Sequence, residues 1–247
     1  MEHTPEASIA QAVPQPPAQR RKWLLASWRG AAALVLSALA AQAGAAAAPP
    51  GLFAAVAADK VPAVRALLAQ GADPNSVDPH GNSALYMALQ HHALGVARLL
   101  LAQPSIRIDQ ANPEGETALM IACLRGDDAL ARTLLARGAR VDPPLGKPGW
   151  SALSYAATNG HDRLVKLMLA HGARVDQPAP NGTTPLMMAA YFGHTSTVRL
   201  LLAAGADARL RNAMGFAAID LAMRRGHHDT AEVLGRWLDR GRKPGHW

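Results

Sequence analysis

Residues 182–207 read GTTPLMMAAYFGHTSTVRLLLAAGAD, from Gly182 to Asp207, and this stretch decides the architecture. Thr184 precedes Pro185 and an apolar run, which is the order of a helix N-cap followed by proline in the first turn. Leu186, Ala189 and Ala190 then share one helical face. Gly193 breaks the run, and a second helix follows through Val198, Leu201 and Leu202 until Gly205. The unit is therefore two short antiparallel helices with a turn between them.

The same unit recurs outward in both directions. GNSALYMALQ, GETALMIACL, GWSALSYAAT and GFAAIDLAMR begin at Gly81, Gly115, Gly149 and Gly215, and with Gly182 the leading glycines are 34, 34, 33 and 33 residues apart. A second series, Gly71, Pro104, Gly138, Gly172 and Gly205, steps by 33, 34, 34 and 33. Two ladders in fixed phase mark stacked repeats rather than independent domains. Ser83, Thr117, Ser151 and Thr184 are the expected N-caps. The columns Val64, Ala97, Ala131, Val165, Val198 and Leu67, Leu100, Leu134, Met168, Leu201 are the expected buried face of the second helices. Pro104 cannot take the left-handed conformation that glycine supplies at the other helix ends, so the second repeat is expected to close differently.

These residues resemble the ankyrin family, whose repeat reads G-x-T-P-L-H-x-A, then a second helix ending in L-L, then G-A-D. The resemblance implies an all-α solenoid of stacked helix-turn-helix units with short hairpin loops. Repeats fall at about 51–80, 81–114, 115–148, 149–181, 182–214 and 215–238, with 44–50 as a linker and 239–247 as a basic tail. One departure from the family pattern is systematic. Its histidine is replaced by Tyr86, Met120, Ser154, Met187 and Asp220, so a polar link between repeats is expected to give way to apolar contact. The Ala-rich first helix, LFAAVAADK, needs cover from residues 44–50 or a partner. At the other end, Arg224, Arg225 and Arg236 provide a polar cap.

The first 43 residues have a different character. Pro14, Pro16 and Pro17 precede QRRKWLLASWRG and then AAALVLSALAAQAGAAAA, which is a basic segment, an apolar stretch and an Ala41-Gln42-Ala43 cleavage site. A signal peptide cut before Gly44 is expected, and with it a periplasmic location. Arg20-Arg21-Lys22-Trp23-Leu24 resembles the twin-arginine export motif, with Trp in place of Phe, so the general secretory route stays open. An uncleaved membrane anchor is the alternative, opposed by Arg29 within the apolar run.

The 247 residues carry a net charge of +7 and 49% hydrophobic residues but only 4% aromatic ones, so the core must be small residues and Leu. A single cysteine, Cys123, excludes an internal disulfide and occupies a small-residue core slot. His161, His194 and His227 follow the inter-helix glycine, where the family pattern itself carries His, and no spacing matches a zinc cage. No phosphate loop, carboxylate pair or nucleophile elbow is present. The expectation is therefore no cofactor, no metal, no catalysis and no nucleic acid, and a monomer that binds a protein.

The resemblance places binding on the concave face, at the hairpin tips Asn82, Glu116, Trp150, Thr183 and Phe216. It adds the inner-helix pairs Gln90-His91, Leu124-Arg125, Thr158-Asn159, Tyr191-Phe192 and Arg224-Arg225. Large aromatics and arginines gather in the last three repeats, and these residue types dominate interface energetics. Trp150, Tyr191, Phe192, Phe216 and Arg225 are the expected partner-binding patch. Two alternatives remain open. Arg65, Arg98, Arg132, Lys166 and Arg199 form a basic second-helix ladder fit for an anionic surface or polymer, unless Asp128 and Asp162 neutralise it by ion pairs one turn away. The chain is otherwise an inhibitory or structural subunit fixed to one partner.

Overall fold

The computed structural model describes residues 48–142 and 150–240. The expected export signal, most of the 44–50 linker, the leading Gly149 and all but the first two residues of the basic tail lie outside the described residues. Among the described residues twelve helices follow one another as six pairs. They are α1 (Leu52–Ala57), α2 (Val61–Ala69), α3 (Ala84–Gln90), α4 (Leu94–Leu101), α5 (Ala118–Arg125) and α6 (Asp128–Ala136), then α7 (Ala152–Thr158), α8 (Asp162–Ala170), α9 (Pro185–Tyr191), α10 (Thr195–Ala203), α11 (Ala218–Arg224) and α12 (His228–Arg240). Extended pairing among the described residues is limited to an isolated bridge between Val77 and Ser83. The fold is the all-α solenoid that the repeat predicts.

Each odd-numbered inner helix packs on the next inner helix and on its own outer partner. The inner helices start where the hydroxyl caps dictate. Ser83, Thr117, Ser151 and Thr184 accept from the backbone N–H three residues on, at 3.1, 3.5, 3.0 and 3.3 Å. Ala217 has no side-chain acceptor at this slot, and α11 is instead fixed by Asp220 Oδ2, which accepts from the Ala217 N–H at 2.9 Å. Asp220 stands where the family histidine would, so the residues at that slot still secure the helix start. Met120 and Met187 act likewise through sulfur, accepting from Thr117 N and Thr184 N at 3.4 and 3.5 Å.

The core is built from small residues at close approach. Leu85, Leu119, Leu153 and Leu186 form one buried column, which Ile219 continues half-buried in the last repeat, and Ala88, Ala122, Ala156, Ala189 and Ala222 form another. The outer-helix column Val64, Ala97, Ala131, Val165 and Val198 is fully buried. Leu67, however, is only half-buried, although Leu100, Leu134, Met168 and Leu201 in its column are fully enclosed. It belongs to the first repeat, which has a neighbour on one side only. At that end Ala48 packs against the core and Pro49 accepts from the Leu52 N–H at 3.2 Å.

The opposite end is less polar than the sequence suggests. Met223 is 54% exposed and Trp237 41% exposed, whereas Ala190, one repeat earlier than Met223, is buried beneath the sixth repeat. Pro104 has the predicted consequence. Gly71 closes its helix with Ala72 N–H donating to Leu67 O at 3.0 Å, but α4 stops at Leu101, and the Gln103 side-chain amide donates to Leu99 O at 3.0 Å. Beside this irregular end, α4 and α6 make the sparsest contact of any consecutive outer helices. A shallow groove of about 300 Å³ separates them, lined by Leu94, Ala97, Leu101 and Leu130.

Backbone links tie successive loops together. Asp109 accepts from both the backbone N–H and the Nε of Arg140, and Asp142 does the same for Arg174, at 2.9–3.1 Å. Asp207 occupies the next position, so its N–H is held by Asp176 without an arginine to neutralise the carboxylate. Burial first, and the nearby Asp207 charge as well, raise the Asp176 pKa.

Candidate functional site

The hairpin tips are set by asparagine and aspartate side chains that hold their own turns. Asp78 Oδ1 accepts from His80 N and Asn82 N, both at 2.8 Å, and Asn112 Oδ1 accepts from Glu116 N at 2.8 Å. Asn212 Oδ1 accepts from Phe216 N at 3.1 Å, and the fifth repeat, with Ala179 at that slot, uses Asn181 to hold Thr183 N. The tips of the second, third, fifth and sixth repeats are thus held by hydrogen bonds of their own side chains.

The side chains expected to make contact divide into two groups. In the earlier group, Glu116 is half-buried and already engaged by its neighbours. Its Oε2 accepts from Tyr86 Oη at 2.7 Å and Asn112 Nδ2 at 3.2 Å, and its Oε1 accepts from Tyr155 Oη. Tyr86 and Tyr155 are both buried. Burial, reinforced by the Glu116 charge, drives the Tyr86 phenol pKa well above its ordinary value. Tyr86 sits at the family-histidine slot and Glu116 in the following repeat, so at this interface a polar link between repeats persists, against the expected replacement by apolar contact. Trp150 belongs here too, with its ring 6.2 Å from Tyr155.

The later group lies on repeats five and six. Tyr191 meets Phe192 edge to face at 4.9 Å, and the Arg225 guanidinium lies over the Tyr191 ring at 4.8 Å. The Arg224 guanidinium lies over Phe216 at 4.7 Å. Of the five expected patch residues, the structure therefore brings Tyr191, Phe192 and Arg225 into direct contact. It joins Phe216 to Arg224 and sets Trp150 with the Glu116 group. Tyr191, Phe192, Phe216 and Trp150 are half-buried, and Arg224 and Arg225 are exposed. Tyr191 and Phe216 also pack on the core, so their rings are anchored from behind.

Other expected contact positions are already engaged. Thr183 and Thr158 are buried, Thr158 Oγ1 donates to Ser154 O at 2.8 Å, and Asn159 Nδ2 donates to Tyr155 O at 3.0 Å. Arg125 reaches back to Gln90 O. The basic ladder is exposed along its length, but the pairing expected for it is absent: among the described residues, ion pairs join Arg140–Asp109, Arg174–Asp142, Arg211–Asp220 and Arg236–Glu232. Asp162, the expected partner of Lys166, instead accepts from Thr197 Oγ1 of the next repeat at 2.5 Å.

Nucleophile and metal readings find little geometry to use. Cys123 is fully buried, and burial pushes its thiol up to about 12, far from a reactive thiolate at neutral pH. Among the described residues no three His, Cys, Asp or Glu side chains converge as a metal cluster, and no helix is long and apolar enough to cross a membrane. The turn histidines have a packing function that sequence reading missed. A Cβ on Gly126, Gly160 or Gly193 would meet the ring of His161, His194 or His227 at 2.7, 2.6 and 2.5 Å. Each ring thus fits the space left by the preceding repeat's glycine, and His194 Nε2 also lies 3.1 Å from Thr158 O.

Comparison with known proteins agrees with this geometry. The family model for ankyrin repeats, in three copies, matches residues 24–112, 52–145, 104–179 and 153–239. The chain belongs to the ankyrin-repeat family. The crystal structure of an ankyrin repeat domain from Acinetobacter baumannii is similar, at 25% identity and a TM-score of 0.65, covering 76% of this chain and 97% of that one. No curated protein matches the chain. Ankyrin repeats are in general protein–protein interaction modules and typically do no catalysis, so the repeats themselves point to a protein partner.

Proposed function

We propose that this ankyrin-repeat chain is an exported, non-catalytic binding module whose contact surface is the inner-helix and hairpin face of its last repeats. The observation that carries the reading is the stacking of Arg225 on Tyr191 and Arg224 on Phe216. Exposed guanidiniums held over anchored rings present large contact area with little side-chain entropy left to lose on association. Phe192 and Arg225 extend that surface, and Trp150 flanks it from the Glu116 group.

Single alanine substitutions at Tyr191, Phe192, Phe216 and Arg225 test the site. Two or more of them are expected to weaken capture of the partner from an envelope fraction by ~2 kcal/mol, or roughly 30-fold, with unchanged circular dichroism. Loss of the fold would mean that these side chains serve the core alone, and undiminished capture would move the site elsewhere. Export is tested separately. The native product is expected to begin at Gly44, read by N-terminal sequencing, and an intact Met1 terminus in the cytoplasm would overturn that part of the proposal.

A second reading draws on the exposed and unneutralised ladder of Arg65, Arg98, Arg132, Lys166 and Arg199, which suits an anionic surface or polymer. Binding through it would weaken steeply with salt and would ignore the alanine changes above.

A further inference from the structure

We propose that Arg224 and Arg225 form a two-pronged receptor for an extended acidic segment of the partner protein, each guanidinium taking one carboxylate. This rests on the reading of the last repeats as the contact surface and names the chemistry which that surface selects.

The argument starts from how a stacked arginine uses its donors. Stacking occupies the flat face of the guanidinium, whereas its five N–H groups project in the plane, at the edges. Phe216 and Tyr191 lie beneath the two groups, with ring centroids 4.7 and 4.8 Å from the guanidinium carbons, so each group is held from one side while its residue stays exposed on the other. Planar fork donors match a carboxylate bidentately, and the ring beneath sets their orientation in advance.

Two of the carboxylates of the last repeat are already committed. Asp220 accepts from Ala217 N at 2.9 Å and pairs with Arg211 at 3.1 Å, and Glu232 pairs with Arg236. Among the described residues no ion pair reaches Arg224 or Arg225, although both are exposed. The two prongs diverge by construction. Arg224 lies over the tip of its own repeat and Arg225 over the inner helix of the preceding one, so an occupant must span the junction of repeats five and six. An extended chain does this with alternate side chains on one side.

A nucleic acid is disfavoured by the surroundings. Within the last repeat Asp220, Asp229 and Glu232 are interspersed with Arg224, Arg225 and Arg236, so it carries no continuous basic stripe. A polyanion tracking along the stack would meet that negative charge, whereas two local carboxylates would not.

The test uses the full chain and a fluorescein-labelled heptapeptide alternating Glu and Val, with its Gln-for-Glu counterpart, read by fluorescence anisotropy. The Glu peptide is expected to bind at least about tenfold tighter than the Gln peptide, with affinity falling as salt rises. Arg224→Lys together with Arg225→Lys keeps both charges but removes the planar fork and ring stacking, and is expected to lose about tenfold. Arg163→Gln, exposed on α8 and outside both proposed contact surfaces, removes a charge elsewhere and is expected to change nothing. Equal binding of the two peptides, no binding of the Glu peptide, or a double-lysine variant that binds like the parent overturns the proposal. So does a single-stranded DNA 20-mer that binds as tightly as the Glu peptide. If the peptide results fail while Tyr191→Ala and Phe216→Ala still abolish partner capture, the surface stands and only its acidic preference falls.

Discussion

Replacing Gly160 with alanine is expected to destabilise the stack by about 3 kcal/mol, from two separable causes of about 1–2 kcal/mol each. The backbone φ there is +67°, a region that an L side chain enters only with strain. In addition, the new Cβ would lie 2.6 Å from His194 Nδ1, inside the ring's own contact distance. Gly172 provides the control, since its φ is +82° but nothing stands within 4 Å of the added carbon. Gly172→Ala should therefore show only the backbone part. A double-mutant cycle separates the terms: adding His194→Ala should recover the contact part of the Gly160→Ala loss and leave the strain. Chemical denaturation of the four proteins reads this directly. Additive losses would mean that the ring simply moves aside and that the glycine–histidine fit has no energetic weight.

The same histidine is expected to make the stack less stable in acid. Burial lowers the His194 pKa below its ordinary value of 6.5, partly opposed by the Thr158 carbonyl and Asp162 and assisted by His161 and His227. As pH falls through 6.5, the unfolded chain takes the proton first. The stability that the neutral ring contributes is thus fully present above 6.5 and declines below it.

The repeat period, the hydroxyl caps and the irregular close at Pro104 were legible because each is a local rule applied at a fixed slot. The His–Gly fit was harder to see, because its partners belong to successive repeats: His161 is 35 residues from Gly126, and His194 and His227 are each 34 residues from their glycines. A signal existed in that near-constant offset, but it becomes meaningful only once one repeat is known to stack directly upon the previous one. The site shows the same division. Residue type and slot pointed to Tyr191, Phe216 and Arg225, whereas the choice of Arg224 for Phe216 and Arg225 for Tyr191 depends on side-chain direction at the end of α11. Glu116 was assigned to the open tips because tip residues in a solenoid face outward. Two tyrosines from different helices and different helix positions engage it, and no single-slot rule joins Tyr86 to Tyr155.

That engagement makes Glu116→Ala the second costly substitution, expected to destabilise by about 3 kcal/mol through the polar groups it would strand. Tyr86 and Tyr155 are only 4% and 6% exposed, so water is poorly placed to replace the lost acceptor. Glu116→Gln keeps an oxygen between the phenols and is expected to cost about 1 kcal/mol, because a neutral acceptor holds them less strongly than a carboxylate. Tyr86→Phe removes a donor together with its own need for a partner, and leaves Glu116 with Tyr155 and Asn112, so its cost should also stay near 1 kcal/mol. Alkaline titration gives an independent reading. With the folded Tyr86 pKa raised above 10.0, the unfolded phenol ionises first, so this residue's stabilisation is complete below pH 10.0 and falls as pH rises beyond it. Tyr86→Phe should flatten that alkaline decline. The order Ala, then Gln, in urea-melt stability, with peptide binding unchanged in the Gln variant, would mark Glu116 as a brace between repeats. A Gln variant as stable as the parent but deficient in binding would instead make the carboxylate part of the contact surface.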